Sequence, residues 1–205
     1  MIDRLIAALI IGGAKCLTGA RGQWNGCHPD NRQRIFVANH TSHLDFILLW
    51  TALPPEVRAH TRPVAAADYW ERGFIRPYLA KHVFHAVLVR RDGSCARDEH
   101  PTDPMIAALR QGDSLILFPE GTRGDGTALQ PFKAGVFHIS KETPGVELVP
   151  VWMDNPHRVL PKGALLLVPM LCSVKFGAPL ELEPDEPKEL FLGRLHHSVK
   201  ELRMP

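Results

Sequence analysis

The sequence predicts one α/β domain, a single layered unit with a mainly parallel central sheet flanked by helices, preceded by a short apolar N-terminal helix. Three observations carry this reading. Short β-branched and aromatic runs alternate with helix-like stretches through most of the chain, the order that yields strand–helix–strand crossovers. At 205 residues the chain is long enough to bury a sizeable core as one domain. Apolar residues make up 45% and charged residues 22%, the balance of a globular chain rather than of a disordered or polytopic one.

The elements follow in order. Leu5 to Ala14 is uncharged and mostly apolar between Arg4 and Lys15. It is about half the roughly 20 residues a spanning helix needs, so it reads as a helix lying in a membrane interface or packed on the domain. The hardly basic Met-Ile-Asp-Arg before it argues against a secretory signal. Arg34 to Ala38 reads as a buried strand, and Ser42 to Leu53 as an apolar helix stopped by Pro54-Pro55. A weak strand at Pro63 to Ala66 leads to a helical stretch, Tyr69 to Lys81, and to a strand at Val83 to Val89. Asp103-Pro104 caps a helix from Met105 to Arg110 that stops at Gly112. A strand at Ser114 to Phe118 follows, then a turn at Gly124-Asp-Gly126, and Pro131 opens a helix to about Lys141. Val146 to Trp152 reads as a strand in which Pro150 removes a ladder hydrogen bond, suggesting an edge or a bulge. Ala164 to Val168 and Leu171 to Phe176 look like a strand pair, and Leu190, Arg194, Leu195, Val199 and Leu202 carry helical spacing behind Pro187.

Charge and cysteines narrow the function. A net charge of +2, without long like-charge runs, gives no footprint for nucleic acid. Between Arg58 and Arg97 eight Arg or Lys face three acids, a local excess suited to anionic lipid or phosphate. Cys16, Cys27, Cys95 and Cys172 are widely spaced, which points to neither a zinc ribbon nor a disulfide framework and fits a reducing compartment. No tight histidine ligand spacing is present, and no metal or cofactor is expected.

Two segments carry chemistry. Asn39-His-Thr-Ser-His-Leu-Asp45 stands where a strand gives way to a helix. In a continuous helix residues five apart diverge, so His40 and Asp45 meet only if His40 lies in the loop and Asp45 in the first turn. The carboxylate then holds one ring nitrogen and leaves the other as a base. The plainer reading is a capping-box variant between Ser42 and Asp45, and both roles are compatible; His43 has no partner at a useful spacing. The second segment, Leu117-Phe-Pro-Glu-Gly-Thr-Arg123, also follows a strand. Gly121 permits close backbone approach, and Thr122 and Arg123 offer a hydroxyl and a forked cation to phosphate. Glu120 repels phosphate unless it pairs with Arg123 or accepts from substrate hydroxyls, and it is assigned the second duty.

Together, NHTSHLD and FPEGTR resemble the glycerolipid acyltransferase family, which makes phosphatidate from lysophosphatidate. Val87-Leu-Val-Arg-Arg91 and Leu148-Val-Pro-Val151 resemble two further blocks of that family, in the same order. The resemblance spans Arg34 to Trp152. It implies a 1-acylglycerol-3-phosphate O-acyltransferase-like enzyme with residues 21–205 as the acyltransferase domain and 1–20 as an interfacial helix. Its implied catalytic pair is His40 and Asp45, and its acceptor site is Arg91, Glu120, Gly121, Thr122 and Arg123. His85 and Arg90 stand where the family has glycine and an acid or lysine, which leaves the phosphate contact open between Arg90 and Arg91.

The implied co-substrate is acyl-CoA or acyl-acyl carrier protein, the acceptor a lysophospholipid, and the location the cytoplasmic side of the cell membrane as a peripheral protein. Without a Gly-x-Ser-x-Gly elbow or an activated cysteine, direct transfer is expected rather than an acyl-enzyme. Oxyanion donors are sought among backbone N–H groups near His40 or in a nearby cation. Tyr69 to Tyr78 mixes aromatics with arginines, as at a headgroup boundary or as core packing. Rival readings are an acyl-thioesterase or lipid hydrolase, a non-catalytic lysolipid-binding module, and a metal-dependent phosphoesterase.

Overall fold

The computed structural model describes residues 1–42, 44–90, 100–154 and 171–203. Seven strands form one sheet: β1 (Arg21–Trp24), β2 (Arg34–Ala38), β3 (Thr61–Ala66), β4 (Val87–Val89), β5 (Ser114–Leu117), β6 (Glu147–Met153) and β7 (Ser173–Phe176), in the spatial order β1-β7-β6-β2-β5-β3-β4. Pairings among β6, β2, β5, β3 and β4 are parallel; β7 runs antiparallel to β6, and β1 follows β7. The mainly parallel sheet expected from the alternating pattern is therefore present, with two opposed strands at one edge.

Buried at every position, β2 feeds both faces, because successive side chains of a strand point to opposite sides. Phe36 and Ala38 join a core with Leu48 and Leu49 of α2 (Asp45–Ala52) and Val57 of α3 (Pro55–Ala59). Ile35 and Val37 join a second core with Met105 of α6 (Asp103–Arg110), Ile139 of α7 (Gly135–Glu142) and Phe191, Leu195 and Val199 of α8 (Lys188–Glu201). At the amino end of the sheet the fully buried Arg34 bonds Glu147 at 2.9 Å, Asp30 at 3.0 Å and the His28 carbonyl at 2.8 Å. Those bonds satisfy a charge whose burial would otherwise be costly.

The N-terminal helix α1 (Ile2–Thr18) extends beyond the apolar run at both ends. Ile6, Ala7, Ile10 and Ile11 pack on the first core, while Ile2, Leu5 and Leu9 are 61–67% exposed. Among the described residues no helix is long and apolar enough to cross a membrane.

Several elements differ from the sequence reading, each for a local reason. The stretch from Tyr69 to Lys81 breaks at Gly73 (φ 75°) into α4 (Ala67–Trp70) and α5 (Ile75–Tyr78), followed by a π turn at Leu79–Val83. That turn takes Val83, and His85 has φ 50°, so the strand begins at Val87. The apolarity of Val83 and Phe84 reflects burial of a helix end. Asp103 lies inside the first turn of α6, its carboxylate accepting the His100 N–H at 2.7 Å. Helix α7 begins at Gly135 and not at Pro131, because the preceding segment bonds sideways: Gln130 N–H to Glu120 and Lys133 N–H to the Pro119 carbonyl.

Pro150 is at neither an edge nor a bulge. It pairs with Val37 inside the sheet, between β2 and β7. Its carbonyl accepts the Gly177 N–H at 2.9 Å, just past the end of β7, so its missing donor faces a bend instead of a ladder partner. A methyl group on Gly177 would lie 3.0 Å from the Pro150 Cγ, a tight approach that glycine relieves. Strand β1 carried no clear pattern in the sequence, being a half-exposed edge strand. It is held by Trp24 stacked on Phe176, centroids 3.9 Å apart. The run Ala164 to Val168 lies outside the described residues; its expected partner is β7.

Candidate active site

The parallel strands β2 and β5 are neighbours, so the segments leaving their carboxyl ends emerge side by side, where open α/β sheets hold their ligands. The exit of β2 is secured by Asn39, whose side chain substitutes for backbone pairing. Its Nδ2 donates to the Met153 carbonyl at 3.1 Å and its Oδ1 accepts the Met153 N–H at 2.8 Å, joining the ends of β2 and β6. The sequence signal for this role is the position of an asparagine directly after a buried strand.

His40 follows in the loop and Asp45 is the first residue of α2. His40 Nδ1 and Asp45 Oδ2 are 2.8 Å apart, with Asp45 fully buried and the imidazole 23% exposed. The same Oδ2 accepts the N–H groups of Thr41 (2.5 Å) and Ser42 (2.8 Å). An ionised carboxylate only accepts, so Nδ1 carries the proton and Nε2 is left with a free lone pair. Asp45 thus reaches back to the helix start and orients the imidazole, while the Ser42 hydroxyl accepts the Leu44 N–H at 3.3 Å, so the capping box is only half formed. The ring also stacks on Phe118, centroids 4.5 Å apart, which fixes its plane from the second segment.

Glu120 ties the two segments. Its Oε1 accepts the His40 N–H at 2.6 Å and its Oε2 the Gln130 N–H at 2.9 Å, and the residue is 4% exposed. Burial pushes its carboxyl above the usual range, partly offset by those two backbone donors. The carboxylate assigned from sequence to substrate hydroxyls is thus turned inward, and Glu120 acts as a positioning residue. Gly124 N–H returns to the His40 carbonyl at 2.8 Å, bringing the Gly-Thr-Arg turn beside the imidazole loop. Gly121 has φ 71°, a left-handed conformation that favours glycine. Thr122 and Arg123 are exposed, and among the described residues Arg123 has no ion-pair partner.

Arg91 and His43 lie outside the described residues; Arg90 is exposed at the end of β4. Several backbone amides near His40 and in the Gly-Thr-Arg turn are engaged. Those of His40, Thr41 and Ser42 bond carboxylates, that of Leu44 bonds the Ser42 hydroxyl, and those of Asp45, Gly121 and Gly124 bond carbonyls. In the aromatic stretch, Trp70 packs edge-on to Phe46 and Phe84 in the first core, whereas Phe74 is 97% exposed.

A model of the acyltransferase family matches residues 26–154, the span that contains both segments. A 1-acyl-sn-glycerol-3-phosphate acyltransferase of Cocos nucifera is 28% identical over 80% of this chain and 51% of its own length. The protein of that name from Limnanthes alba is 25% identical over 85% of this chain and 60% of its own. The chain therefore spans between half and three-fifths of the length of these relatives. The crystal structure of the 1-acyl-sn-glycerophosphate (LPA) acyltransferase PlsC from Thermotoga maritima superimposes with a TM-score of 0.74 at 21% identity, covering 99% of this chain and 82% of that one. This likeness shows a shared fold.

Proposed function

The chain belongs to the acyltransferase family, and from that premise we propose that it transfers a fatty acyl group from a thioester, acyl-CoA or acyl-acyl carrier protein, to the free hydroxyl of lysophosphatidate or a related lysophospholipid. The observation that carries this reading is the Nδ1-anchored imidazole of His40, with Nε2 open at the sheet's carboxyl end beside an exposed arginine turn. The activity for which these relatives are named supports the acceptor class.

An alcohol is a weak nucleophile at neutral pH. Nε2 takes its proton as the oxygen attacks the thioester carbon, giving a tetrahedral oxyanion facing a cation. Collapse breaks the carbon–sulfur bond, and the imidazolium returns the proton to the departing thiolate. Asp45 stabilises the imidazolium between these steps. The reaction passes through a ternary complex without an acyl-enzyme burst. His40→Ala should lower turnover roughly 100-fold to 10,000-fold with the fold intact, measured as labelled acyl transfer across lysolipid acceptors. Near-normal transfer by the variant would refute the assignment. Thiol release without an acceptor would favour the thioesterase reading.

The membrane is the proposed second partner. The outward face of α1 presents Ile2, Leu5, Ala8, Leu9, Gly12, Gly13 and Cys16, all uncharged and exposed. Tyr78 Oη donates to Asp3 Oδ1 at 2.5 Å and ties α5, with exposed Ile75, to the start of this helix. Such a face suits the headgroup–acyl boundary. In liposome flotation, Leu5→Glu with Leu9→Glu should abolish binding, and unchanged flotation would refute the docking surface.

A further inference from the structure

We infer that Lys133 joins Arg123 in a two-cation seat selecting acceptors whose headgroup is a phosphomonoester; this rests on the acyltransferase reading above. Gly121 is the pivot of the observation. A methyl group on its Cα would lie 2.6 Å from both Cε and Nζ of Lys133 and 2.9 Å from Cδ. The lysine stem therefore lies directly on the turn, in space that any other residue at position 121 would fill. Its root is held there too, since the Lys133 N–H donates to the Pro119 carbonyl at 2.9 Å.

The neighbouring acid does not neutralise this ammonium. Glu120, one residue before Gly121, directs both oxygens to backbone N–H groups of His40 and Gln130. Among the described residues neither Lys133 nor Arg123 has an ion-pair partner. Two cations thus flank a turn whose loop returns to His40 through Gly124. A phosphomonoester carries a charge of about −1.5 to −2 near neutrality, whereas a phosphodiester carries one negative charge. Arginine offers a fork and lysine a movable point charge, a pairing that grips a dianion and is only half used by a diester.

The test compares kcat/KM for lysophosphatidate and for lysophosphatidylglycerol with one acyl thioester donor. Lys133→Met keeps the apolar stem and removes the charge. It should lower kcat/KM for the monoester about tenfold, chiefly through KM, and for the diester about threefold or less, with Lys133→Arg restoring most of the loss. Equal losses on both acceptors, or no loss on the monoester, would overturn the inference while leaving acyl transfer standing. Transfer by the native chain to neither acceptor would overturn the acyltransferase reading, and this inference with it.

Discussion

Asp45→Asn isolates the charge behind the proposed base. Oδ2 receives three donors, from His40, Thr41 and Ser42, and Oδ1 is buried without a hydrogen-bond partner among the described residues. An asparagine amide nitrogen at the Oδ2 position would meet two backbone N–H groups head-on. The side chain is therefore held with its oxygen there and its NH2 group in place of Oδ1. The imidazole keeps its tautomer and loses only the anion. With Nδ1 and Oδ2 2.8 Å apart, the imidazolium and carboxylate charges are centred about 4 Å apart, worth about 4 kcal/mol at an effective dielectric constant near 20. The 23% exposure of His40 reduces this to about 3 kcal/mol, or roughly 100-fold to 1,000-fold in rate. Burying the NH2 group unpaired should also cost about 1–3 kcal/mol of stability. The assay is kcat at saturating donor and acceptor, followed by thiol release, beside a thermal unfolding curve for the same sample. A loss of kcat below tenfold in folded protein would refute the view that the carboxylate stabilises an imidazolium.

Two other predictions concern stability. The raised Glu120 carboxyl favours the fold when protonated: its contribution is complete below the ordinary value of 4.5 and is lost as pH rises through the folded value. The stability of the native chain relative to Glu120→Gln should therefore increase as pH falls from 7 to 4.5, read as the difference in denaturant midpoints. A difference that is constant or shrinks across that interval would contradict the burial argument. Arg34→Met removes the clamp between the amino ends of β2 and β6 and should cost about 2–3 kcal/mol. That is about 5–10 °C in Tm, with kcat/KM per folded molecule changed less than twofold because the proposed active-site segments lie at the other end of the sheet.

Where one-dimensional pattern and three-dimensional environment agreed, the fold was legible. The run Arg34 to Ala38 is a strand with the bounds read from its apolarity, and the break required between His40 and Asp45 is present. Legibility failed where burial has another cause. Val83 and Phe84 are apolar because a π turn buries them, and Pro150 is tolerated inside a sheet because its neighbour ends beside it. The site was half legible. The dyad follows from spacing at a strand–helix junction, but the inward turn of Glu120 depends on amides 80 and 10 residues away. Nothing local in FPEGTR reports those partners. Lys133 was hidden for the same reason: its relation to Gly121 is a contact across a loop.

The Glu120 bridge has a consequence for how the protein breathes. Since the amide of His40 is clasped by one oxygen of Glu120 and the strand-to-helix segment near Gln130 by the other, neither signature loop can peel away alone. Each holds the other shut, so their excursions from the native state are one shared event, as rare as the more stable of the two would allow.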